Sequence, residues 1–208
     1  MRSGVHAYGA PELSLMDVAG ADMAHYYGIP FFGTGGCTDS KLPDEQGAIE
    51  ATTSLLMAML SRTNLIHDIG YIESAMTISF ELVVMMDEVF PMLDRIVKGF
   101  EVDDERLALD VIGEVGAGGY FLSHKHTLKH VWSNWMPRIM DRKRYEDWRK
   151  TGGKTLLQRA KEVLAKILRE HEPEPLPRDI EEEVKDMLAG WDAQASREAK
   201  MRKESKGK

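Results

Sequence analysis

The most informative segment of this chain is Gly35-Gly36-Cys37-Thr38-Asp39-Ser40-Lys41, which follows the apolar run Ile29-Pro30-Phe31-Phe32 and precedes a long amphipathic segment. A strand, a polar glycine-rich loop and a helix, in this order, are typical of one wall of an active site in an α/β protein. The same order recurs at 64–73, where an apolar run leads into His67-Asp68-Ile69-Gly70-Tyr71-Ile72-Glu73 and a second long helical segment follows. Two consecutive units of this kind predict a parallel sheet whose carboxyl edge carries the functional residues.

The composition of the 208-residue chain, with 43% hydrophobic and 29% charged residues, is that of an ordinary soluble globular protein. Its formal net charge of -7 argues against a dedicated nucleic-acid-binding protein, which needs a basic stripe to displace counterions, and favours small-molecule or protein partners. A single cysteine and the absence of a secretory-type N-terminal segment indicate a reducing cytoplasm. No apolar run reaches the roughly 18 residues of a membrane span, so we expect a cytoplasmic protein that binds neither nucleic acid nor membrane.

Three helices are predicted around the two loops. Pro11 suits the first turn of the first helix, and Gly28 ends it. Pro43 is expected near the first position of the second helix, and Thr77 or Ser79 is expected to cap the third. The predicted buried faces are Ile49, Thr53, Leu56, Met57 and Leu60 for the second helix, and Val83, Met86, Phe90, Leu93 and Val97 for the third.

From residue 101 the alternation of strand and helix ends, and a run of helices is predicted. It begins with Asp103 as a cap and a helix body over 107–115, and it includes an amphipathic helix over 156–171. A last short helix is expected over 180–188, and the tail has almost no apolar content. The predicted domains are therefore βα units over 1–100, an appended helical region over 101–192 and a mobile charged tail over 193–208.

The number of strands sets the predicted fold class. A closed eight-stranded α/β barrel takes about 250 residues, whereas residues 1–100 supply two full strands and at most the end of a third. We expect an α/β fold that forms part of a TIM (β/α) barrel, its last two to three βα units, with strand edges left open. The chain then either pairs with another chain or is the C-terminal piece of a longer protein.

Asp39, Lys41 and Asp44 crowd the first loop, where a carboxylate and an ammonium group can orient a polar or cationic substrate, although turns are rich in such residues in any case. Gly35 and Gly36 would let the backbone approach a ligand closely. The segment is not a phosphate-binding loop, because the Walker spacing and its Gly-Lys-Ser/Thr ending are missing.

The second loop brings an imidazole, a phenol and carboxylates together. His67 and Asp68 directly follow an apolar strand and Tyr71 and Glu73 lie just beyond, so these groups converge on one pocket mouth, with hydrogen bonding of His67 inside the loop as the alternative. Glu73 lies in the weakly charged stretch 69–80, where a carboxylate is costly to desolvate without a cation or ligand. Cys37 has no base or helix N-terminus beside it in the sequence, so we expect a small wall residue rather than a nucleophile.

The run His124-Lys125-His126-Thr127-Leu128-Lys129-His130 invites a metal-site interpretation. On a helix, however, His124 and His126 point about 200° apart, while His126 and His130 share a face without a nearby carboxylate. We therefore predict no metal site here.

Together these segments resemble the C-terminal part of the trimethylamine methyltransferase superfamily, the corrinoid-dependent methylamine methyltransferases. The resemblance rests on Tyr26-Tyr27-Gly28-Ile29-Pro30, on the first loop with Pro43-Asp44, and on the segment 64–74. It extends to 103–119, to 124–127 and to His171-Glu172-Pro173, and so covers residues 1–190. The combination of these pieces is specific, although no single piece is.

The resemblance implies a TIM-type barrel that moves a methyl group from a methylated amine to the Co(I) of a partner corrinoid protein, as in methanogenesis from methylamines. The amine is trimethylamine or a related tertiary or quaternary amine, and no cofactor is bound directly. In this interpretation the amine pocket is lined by carboxylates and an aromatic ring, and His67 positions the amine. The catalytic candidates are therefore His67, Tyr71 and Glu73, and the substrate-binding candidates are Gly35, Gly36, Asp39, Lys41 and Asp44.

The chain is less than half the length expected of this family, and it lacks the pyrrolysine that some relatives read from an in-frame amber codon. We hypothesise that Met1 is an internal start in an interrupted or truncated reading frame, with the remaining strands encoded upstream. Two other interpretations compete. The His67-Asp68 doublet superficially resembles HD-type metal-dependent phosphohydrolases, and a non-catalytic subunit could bind a corrinoid protein or complete another chain's barrel. In either case the expected partners include the upstream barrel portion or a second copy of the chain.

Overall fold

Helix α1, Pro11–Tyr27, opens the computed structural model, which describes residues 4–206. Pro11 stands at its start and Gly28 ends it in the left-handed conformation, as the sequence predicts. The Ile29 N–H still bonds to a carbonyl of the helix, at 3.0 Å, and strand β1 runs only from Phe32 to Thr34. The strand predicted over 29–32 is therefore displaced along the chain, because Ile29 belongs to the helix cap and Pro30 has no N–H to donate.

Strands β1, Phe32–Thr34, and β2, Leu65–His67, pair in parallel, with Gly33 opposite Ile66. The predicted parallel pairing is confirmed for these two strands. Successive side chains of a strand point to opposite faces, and Gly33 is buried whereas Phe32 and Leu65 are 61% and 64% exposed. One face of the pair thus lies against the core, where Ile66 packs, and the other face is open.

Helix α2, Glu45–Leu60, is capped by Asp44, whose carboxylate accepts the Gly47 N–H at 2.9 Å. Pro43 therefore precedes the cap and does not stand in the first turn. The predicted buried face is wrong: Ile49 is 67% exposed, and the buried residues are Gly47, Ala51, Ser54, Leu55 and Ala58. All of these except Leu55 are small, and the missing side chain of Gly35 lets the loop after β1 lie close to α2, since a Cβ added at Gly35 would be 3.2 Å from the Leu55 Cα.

A short antiparallel hairpin, which the sequence pattern does not predict, follows β2. Strand β3, Tyr71–Ile72, pairs with β4, Thr77–Ile78. The turn between them holds three consecutive residues, Glu73, Ser74 and Ala75, at φ values of 52°, 55° and 66°. Residues other than glycine disfavour this left-handed region because of their Cβ atom, so the turn carries backbone strain that neighbouring contacts must offset.

Helix α3, Phe80–Lys98, begins at Ser79, whose hydroxyl accepts the Leu82 N–H at 3.2 Å. Of the predicted apolar stripe, Met86 and Leu93 are buried, but Phe90 and Val97 are exposed. The buried face differs from the prediction and includes a carboxylate that holds another segment of the chain. Its members are Leu82, Met85, Met86, Glu88, Val89 and Leu93.

Glu88 ties the appended helical region to α3. Its side chain is 1% exposed, and its Oε1 accepts the backbone N–H groups of Arg138, Ile139 and Met140 at 2.8, 2.9 and 3.0 Å. Burial alone raises the pKa of a carboxyl group, but these hydrogen bonds outweigh burial and hold the pKa of Glu88 below its ordinary value. The segment 138–140 is therefore anchored by a buried anion.

The helical region that follows α3 is built of short elements. They are α4 (Asp104–Leu107), α5 (Leu109–Val115), α6 (Lys125–His130), a 3₁₀ turn (Val131–Ser133), α7 (Tyr145–Lys150) and α8 (Leu156–Glu170). Asp103 caps α4 as predicted, but Ala108, at a φ of 48°, breaks the helix predicted over 107–115 into α4 and α5. Ala160 of α8 is buried in the same hydrophobic core as α2 and α3, so this region shares their core.

The chain divides into two compact units, residues 1–169 and 170–208. The second unit contains α9, Arg178–Lys206, which is one continuous helix. The short helix predicted over 180–188 is therefore wrong in length. The backbone of 193–206 is helical because the tail is rich in strong helix formers such as Ala, Glu, Lys and Arg, and the mobility of the tail stays a prediction.

The fold of the described part of the chain, 4–206, is mixed α/β, and its strands form one parallel pair and one hairpin without closing into a barrel. The assignment to part of a TIM barrel stays a prediction. None of the helices over 4–206 combines the length and the apolar character that crossing a membrane requires.

Candidate active site

The loops that follow β1 and β2 lie side by side at the carboxyl ends of the two strands. The Thr38 N–H donates to Tyr71 O at 3.0 Å, and the Glu73 N–H donates to Ser40 O at 2.7 Å. Neighbouring parallel strands end at the same edge of a sheet, which is the reason why the sequence predicts this arrangement. We call the two loops, residues 35–44 and 68–79, the rim.

Asp39 joins three segments through one carboxylate oxygen. Its Oδ1 accepts the Tyr8 N–H and the Ser74 Oγ–H, both at 2.8 Å. The Lys41 Nζ donates to the Asp39 backbone carbonyl at 2.8 Å, so the predicted cation folds back on its own loop. Asp39 thereby holds the segment before α1 and the hairpin turn against the first loop.

A second carboxylate, that of Glu50 on α2, supports the same loop. Its Oε2 accepts the Thr38 Oγ1–H at 2.5 Å and the Asp39 N–H at 2.9 Å. Glu50 also lies against Gly9, where an added Cβ would stand 2.2 Å from its Oε2. A cavity of about 160 Å³, lined in part by Gly9 and Glu50, opens beside this layer of hydrogen bonds.

Asp44 and the two glycines of the first loop have structural roles in the rim. Besides capping α2, Asp44 accepts the Ser40 hydroxyl at 2.8 Å. The Gly47 N–H and then the Ser40 hydroxyl hold the pKa of Asp44 below its ordinary value. Gly35 and Gly36 are buried, and Gly36, at a φ of 76°, accepts the Gly70 N–H at 2.9 Å. Contact of these three residues with a substrate stays a prediction.

His67 and Asp68 form a close pair at the end of β2. The His67 Nδ1 lies 2.7 Å from the Asp68 Oδ1, and the imidazole and the Phe32 ring have centroids 4.2 Å apart. The side chain of His67 is 33% exposed, whereas that of Asp68 is 10% exposed. His67 therefore stands at the open face of the strand pair beside a nearly buried carboxylate.

Cys37 is buried among other rim groups. Burial, followed by the charge of Asp68, raises the pKa of its thiol to about 12. Burial and then the same carboxylate also raise the pKa of Tyr8, with smaller effects of Cys37 and Tyr71. A thiol with this pKa is not a nucleophile at neutral pH, which agrees with the expectation of a wall residue. Tyr8, Cys37, Asp68 and Tyr71 form one cluster.

The environment of Glu73 differs from the expectation. Its side chain is exposed, so the expected desolvation of its carboxylate is wrong. The reason is the unpredicted hairpin, whose turn carries Glu73 to the surface while its backbone N–H remains bonded to the first loop. Glu73 is thus a solvated anion at the rim, available to an approaching cation.

Over the described residues 4–206, no group of three or more His, Cys, Asp or Glu side chains is placed to hold a metal ion. His124 is not part of α6 but caps it, its Nδ1 accepting the His126 N–H at 3.1 Å. The expectation that no carboxylate lies near the run is wrong, because Glu105 lies 3.3 Å from the His130 Nε2. That carboxylate comes from α4, an element that helical spacing around the histidines does not include.

Three residues of the rim and its support, Tyr8, Glu50 and Ser74, are not among the predicted site residues. Ser74 adjoins the predicted Glu73, and this proximity in sequence is a usable signal. Tyr8 and Glu50 reach the rim from other elements, so only the folded chain reveals them.

A larger cavity of about 480 Å³ lies beside α4 and α5, lined by Asp104, Glu105, Leu109 and Asp110, and contains none of the predicted site residues.

The strand pair and its rim define the class of this protein: an α/β protein with a polar site at the carboxyl edge of parallel strands. Comparison with known sequences gives the family. The family model described as trimethylamine methyltransferase (MTTB) matches residues 1–196, and the chain belongs to this family.

Named relatives agree with this assignment. The chain is 37% identical over 180 residues to the trimethylamine methyltransferase MttB of Desulfitobacterium hafniense strain DSM 10664 / DCB-2, covering 86% of this chain and 36% of that protein. It is 36% identical over 189 residues to MttB of Methanosarcina barkeri strain Fusaro, covering 91% of this chain and 38% of that protein. It is also 37% identical over 191 residues to the glycine betaine methyltransferase of D. hafniense strain Y51, covering 91% of this chain and 40% of that protein. The chain thus spans less than half the length of the curated relatives that it matches.

Proposed function

We propose that this chain forms part of a methyltransferase that moves a methyl group from a methylated amine to the Co(I) corrinoid of a partner protein. The observation that carries the proposal is the rim itself, in a chain that belongs to the trimethylamine methyltransferase family. Two loops bearing Asp39, His67, Tyr71 and Glu73 meet at the end of a parallel strand pair. In this proposal the strand pair belongs to a TIM-type barrel, whose active sites lie at that edge.

The chemistry requires a cationic substrate. When the Co(I) nucleophile donates an electron pair to the methyl carbon, the C–N bond breaks and its electron pair leaves with nitrogen. The nitrogen leaves as a neutral amine, which is a good leaving group, only if it carries a positive charge before the transfer. The substrate is then either a protonated tertiary amine or a quaternary ammonium ion. The enzyme must therefore bind a cation and aim one methyl group at the docked cobalt.

The rim has the groups that such a cation needs. Glu73 is an exposed carboxylate, and the aromatic rings of Phe32, Tyr71 and His67 lie at or beside the same edge. Carboxylates attract the charge, and aromatic faces bind alkylated ammonium groups through their quadrupoles. In this proposal Glu73 and Tyr71 line the amine site and His67 positions the amine, while Asp39, Lys41 and Asp44 hold the loop in shape.

The relatives do not separate the two kinds of amine. One relative is named for trimethylamine and another for glycine betaine, and both are 37% identical to this chain. We therefore propose the substrate as a methylated ammonium ion of either kind.

A second candidate function is a non-catalytic one, in which the chain completes a barrel or binds a corrinoid protein. The exposure of Phe32 and Leu65 on the open face of the strand pair favours it, because in a closed barrel that face packs against other strands. The partner that covers this open face would then be the N-terminal portion of a methyltransferase.

The decisive assay follows amine-dependent methylation of a Co(I) corrinoid protein by the loss of the Co(I) absorption band. The chain is assayed alone and together with the N-terminal portion of a curated relative, with trimethylamine and with glycine betaine as substrates. Methyl transfer that needs this chain supports the proposal. No transfer under either condition, with tight binding to the added portion, would favour the non-catalytic function.

A pair of matched variants assigns any activity to the rim. Glu73→Gln removes the exposed rim carboxylate and should lower kcat/KM by about 10-fold to 100-fold, the effect of one charged contact to substrate. Asp94→Asn removes a half-exposed carboxylate paired with Lys98 near the far end of α3 and should leave kcat/KM unchanged. Equal activity of both variants would contradict a role of Glu73 in the amine site.

A further inference from the structure

Asp68 carries the one buried side-chain oxygen or nitrogen in the described part of the chain that has no hydrogen-bond partner. Its Oδ1 lies 2.7 Å from the His67 Nδ1, while its Oδ2 is buried and receives no donor. A buried carboxylate oxygen without a partner costs free energy. Asp68 also adopts a φ of 70°, which is uncommon for a non-glycine residue, although aspartate adopts it more readily than most residues do. The buried oxygen without a donor points to a functional reason for this residue.

The groups around Asp68 do not supply the missing donor. Its charge contributes to raising the pKa of both Cys37 and Tyr8, so the thiol and the phenol are close enough to feel it and keep their protons at neutral pH. Neither of them donates a hydrogen bond to Oδ2. The direct partner of Asp68 is therefore the imidazole of His67.

We propose that Asp68 is a positioning residue that directs the proton of the His67 imidazole, in its neutral form, to Nδ1. A neutral imidazole has one N–H, and a carboxylate 2.7 Å from Nδ1 keeps it there. The Nε2 atom then carries a lone pair and acts as a hydrogen-bond acceptor. The side chain of His67 is 33% exposed at the open face of the strand pair, and in this proposal its Nε2 meets a ligand at the rim.

The consequence for ligand choice rests on the proposed function. An acceptor at Nε2 binds an ammonium ion that still has an N–H, as a protonated tertiary amine does, and gains nothing from a quaternary ion. Tetramethylammonium has the same charge as trimethylammonium and one more methyl group, but it has no N–H. The rim should therefore bind trimethylammonium more tightly than tetramethylammonium, by about tenfold for one hydrogen bond.

The first test reads the position of the proton directly and does not depend on activity. In the full chain labelled with ¹⁵N-histidine, long-range ¹⁵N–¹H NMR distinguishes the Nδ1–H from the Nε2–H tautomer, and the His67→Gln variant assigns the His67 signals. We expect the Nδ1–H tautomer in the unaltered chain. In Asp68→Asn we expect a mixture of tautomers or the Nε2–H form, because an amide can donate to Nδ1.

The variants are chosen to keep the fold. Asparagine tolerates the left-handed conformation of residue 68 better than other replacements do. Asp39→Asn serves as the matched control, since it neutralises a rim carboxylate whose polar contacts do not include His67, and it should leave the His67 tautomer unchanged. An Nε2–H tautomer in the unaltered chain, or the same tautomer in Asp68→Asn as in the unaltered chain, would overturn the proposal.

The second test titrates trimethylammonium and tetramethylammonium into the same labelled samples. A shift of the His67 Nε2 resonance with trimethylammonium, and a preference that falls toward unity in Asp68→Asn, support the inference. Equal affinities in the unaltered chain overturn the ligand preference. If neither ion binds, the proposed amine function of this chain fails, and the tautomer measurement alone decides the role of Asp68.

Discussion

The hydrogen bond between Ser74 and Asp39 offers a sharp test of the rim, because it joins the two loops through side chains. The Ser74 Oγ donates to Asp39 Oδ1 at 2.8 Å, and the same oxygen accepts the Tyr8 N–H. Ser74→Ala removes one hydrogen bond and leaves Oδ1 with its backbone donor, so it should cost about 1 kcal/mol of unfolding free energy. Asp39→Ala removes the acceptor of both bonds and should cost about 2–4 kcal/mol, since its acceptor is charged.

The double variant separates this contact from all others. If the hydrogen bond exists, the two substitutions are not additive, and the coupling energy should be about 1 kcal/mol. Urea unfolding followed by circular dichroism gives the four free energies needed. Ser133→Ala serves as the control, since its hydroxyl bonds only to the His130 carbonyl at the surface, and it should change stability by less than about 0.5 kcal/mol. A coupling energy of zero within error would refute the packing of the two loops described above.

Three further predictions address other parts of the unit. Glu88→Ala should cost about 3–5 kcal/mol because it leaves three backbone N–H groups without their acceptor, whereas Asp87→Asn, at an exposed partner of Arg138, should cost less than about 1 kcal/mol in the same urea experiment. The pKa of Glu88 is lowered in the folded chain, so its contribution to the free energy of unfolding is complete above the unfolded-state pKa and is lost as the pH falls through the folded-state pKa. The curves of stability against pH for the unaltered chain and for Glu88→Ala should therefore converge in acid. Gly70→Ala should cost more than about 2 kcal/mol, measured by thermal unfolding, because its φ is 88° and the added Cβ would lie 2.3 Å from the Val83 Cγ2. Cys37, with a pKa of about 12 and a buried thiol, should react with iodoacetamide at pH 8 at least about 100-fold more slowly in the folded chain than in urea, as followed by mass spectrometry.

Local signals in the sequence were sufficient where one residue determines one piece of geometry. Pro11 and Gly28 mark the ends of α1, Ser79, one of the two predicted caps, begins α3, and Asp103 caps α4. The meeting of the two loops followed from a topological rule, because adjacent parallel strands end at the same edge. These predictions do not depend on knowing which helices and loops pack against each other.

The buried faces and the hairpin depended on contacts that are remote in sequence. Large apolar residues such as Ile49 predict the inner face of α2, yet the buried residues there are small except for Leu55, beside the closely approaching loop after β1. The turn at Glu73 has no glycine and no usual turn dipeptide, so its left-handed residues gave no signal. Tyr8 and Glu50 reach the rim from segments that the motif does not include, and side-chain hydrogen bonds of this kind cannot be read from spacing.

The turn of the hairpin has a consequence for the order in which the chain folds. Its three left-handed residues have no intrinsic preference for their conformation, so the isolated segment 71–78 has little reason to form a hairpin. Two hydrogen bonds to the first loop stabilise the hairpin, from the Glu73 N–H to Ser40 O and from the Ser74 Oγ to Asp39. They can form only after the first loop has packed against α2. The hairpin is therefore expected to be a late-forming element, with its native contacts largely absent from the transition state for folding.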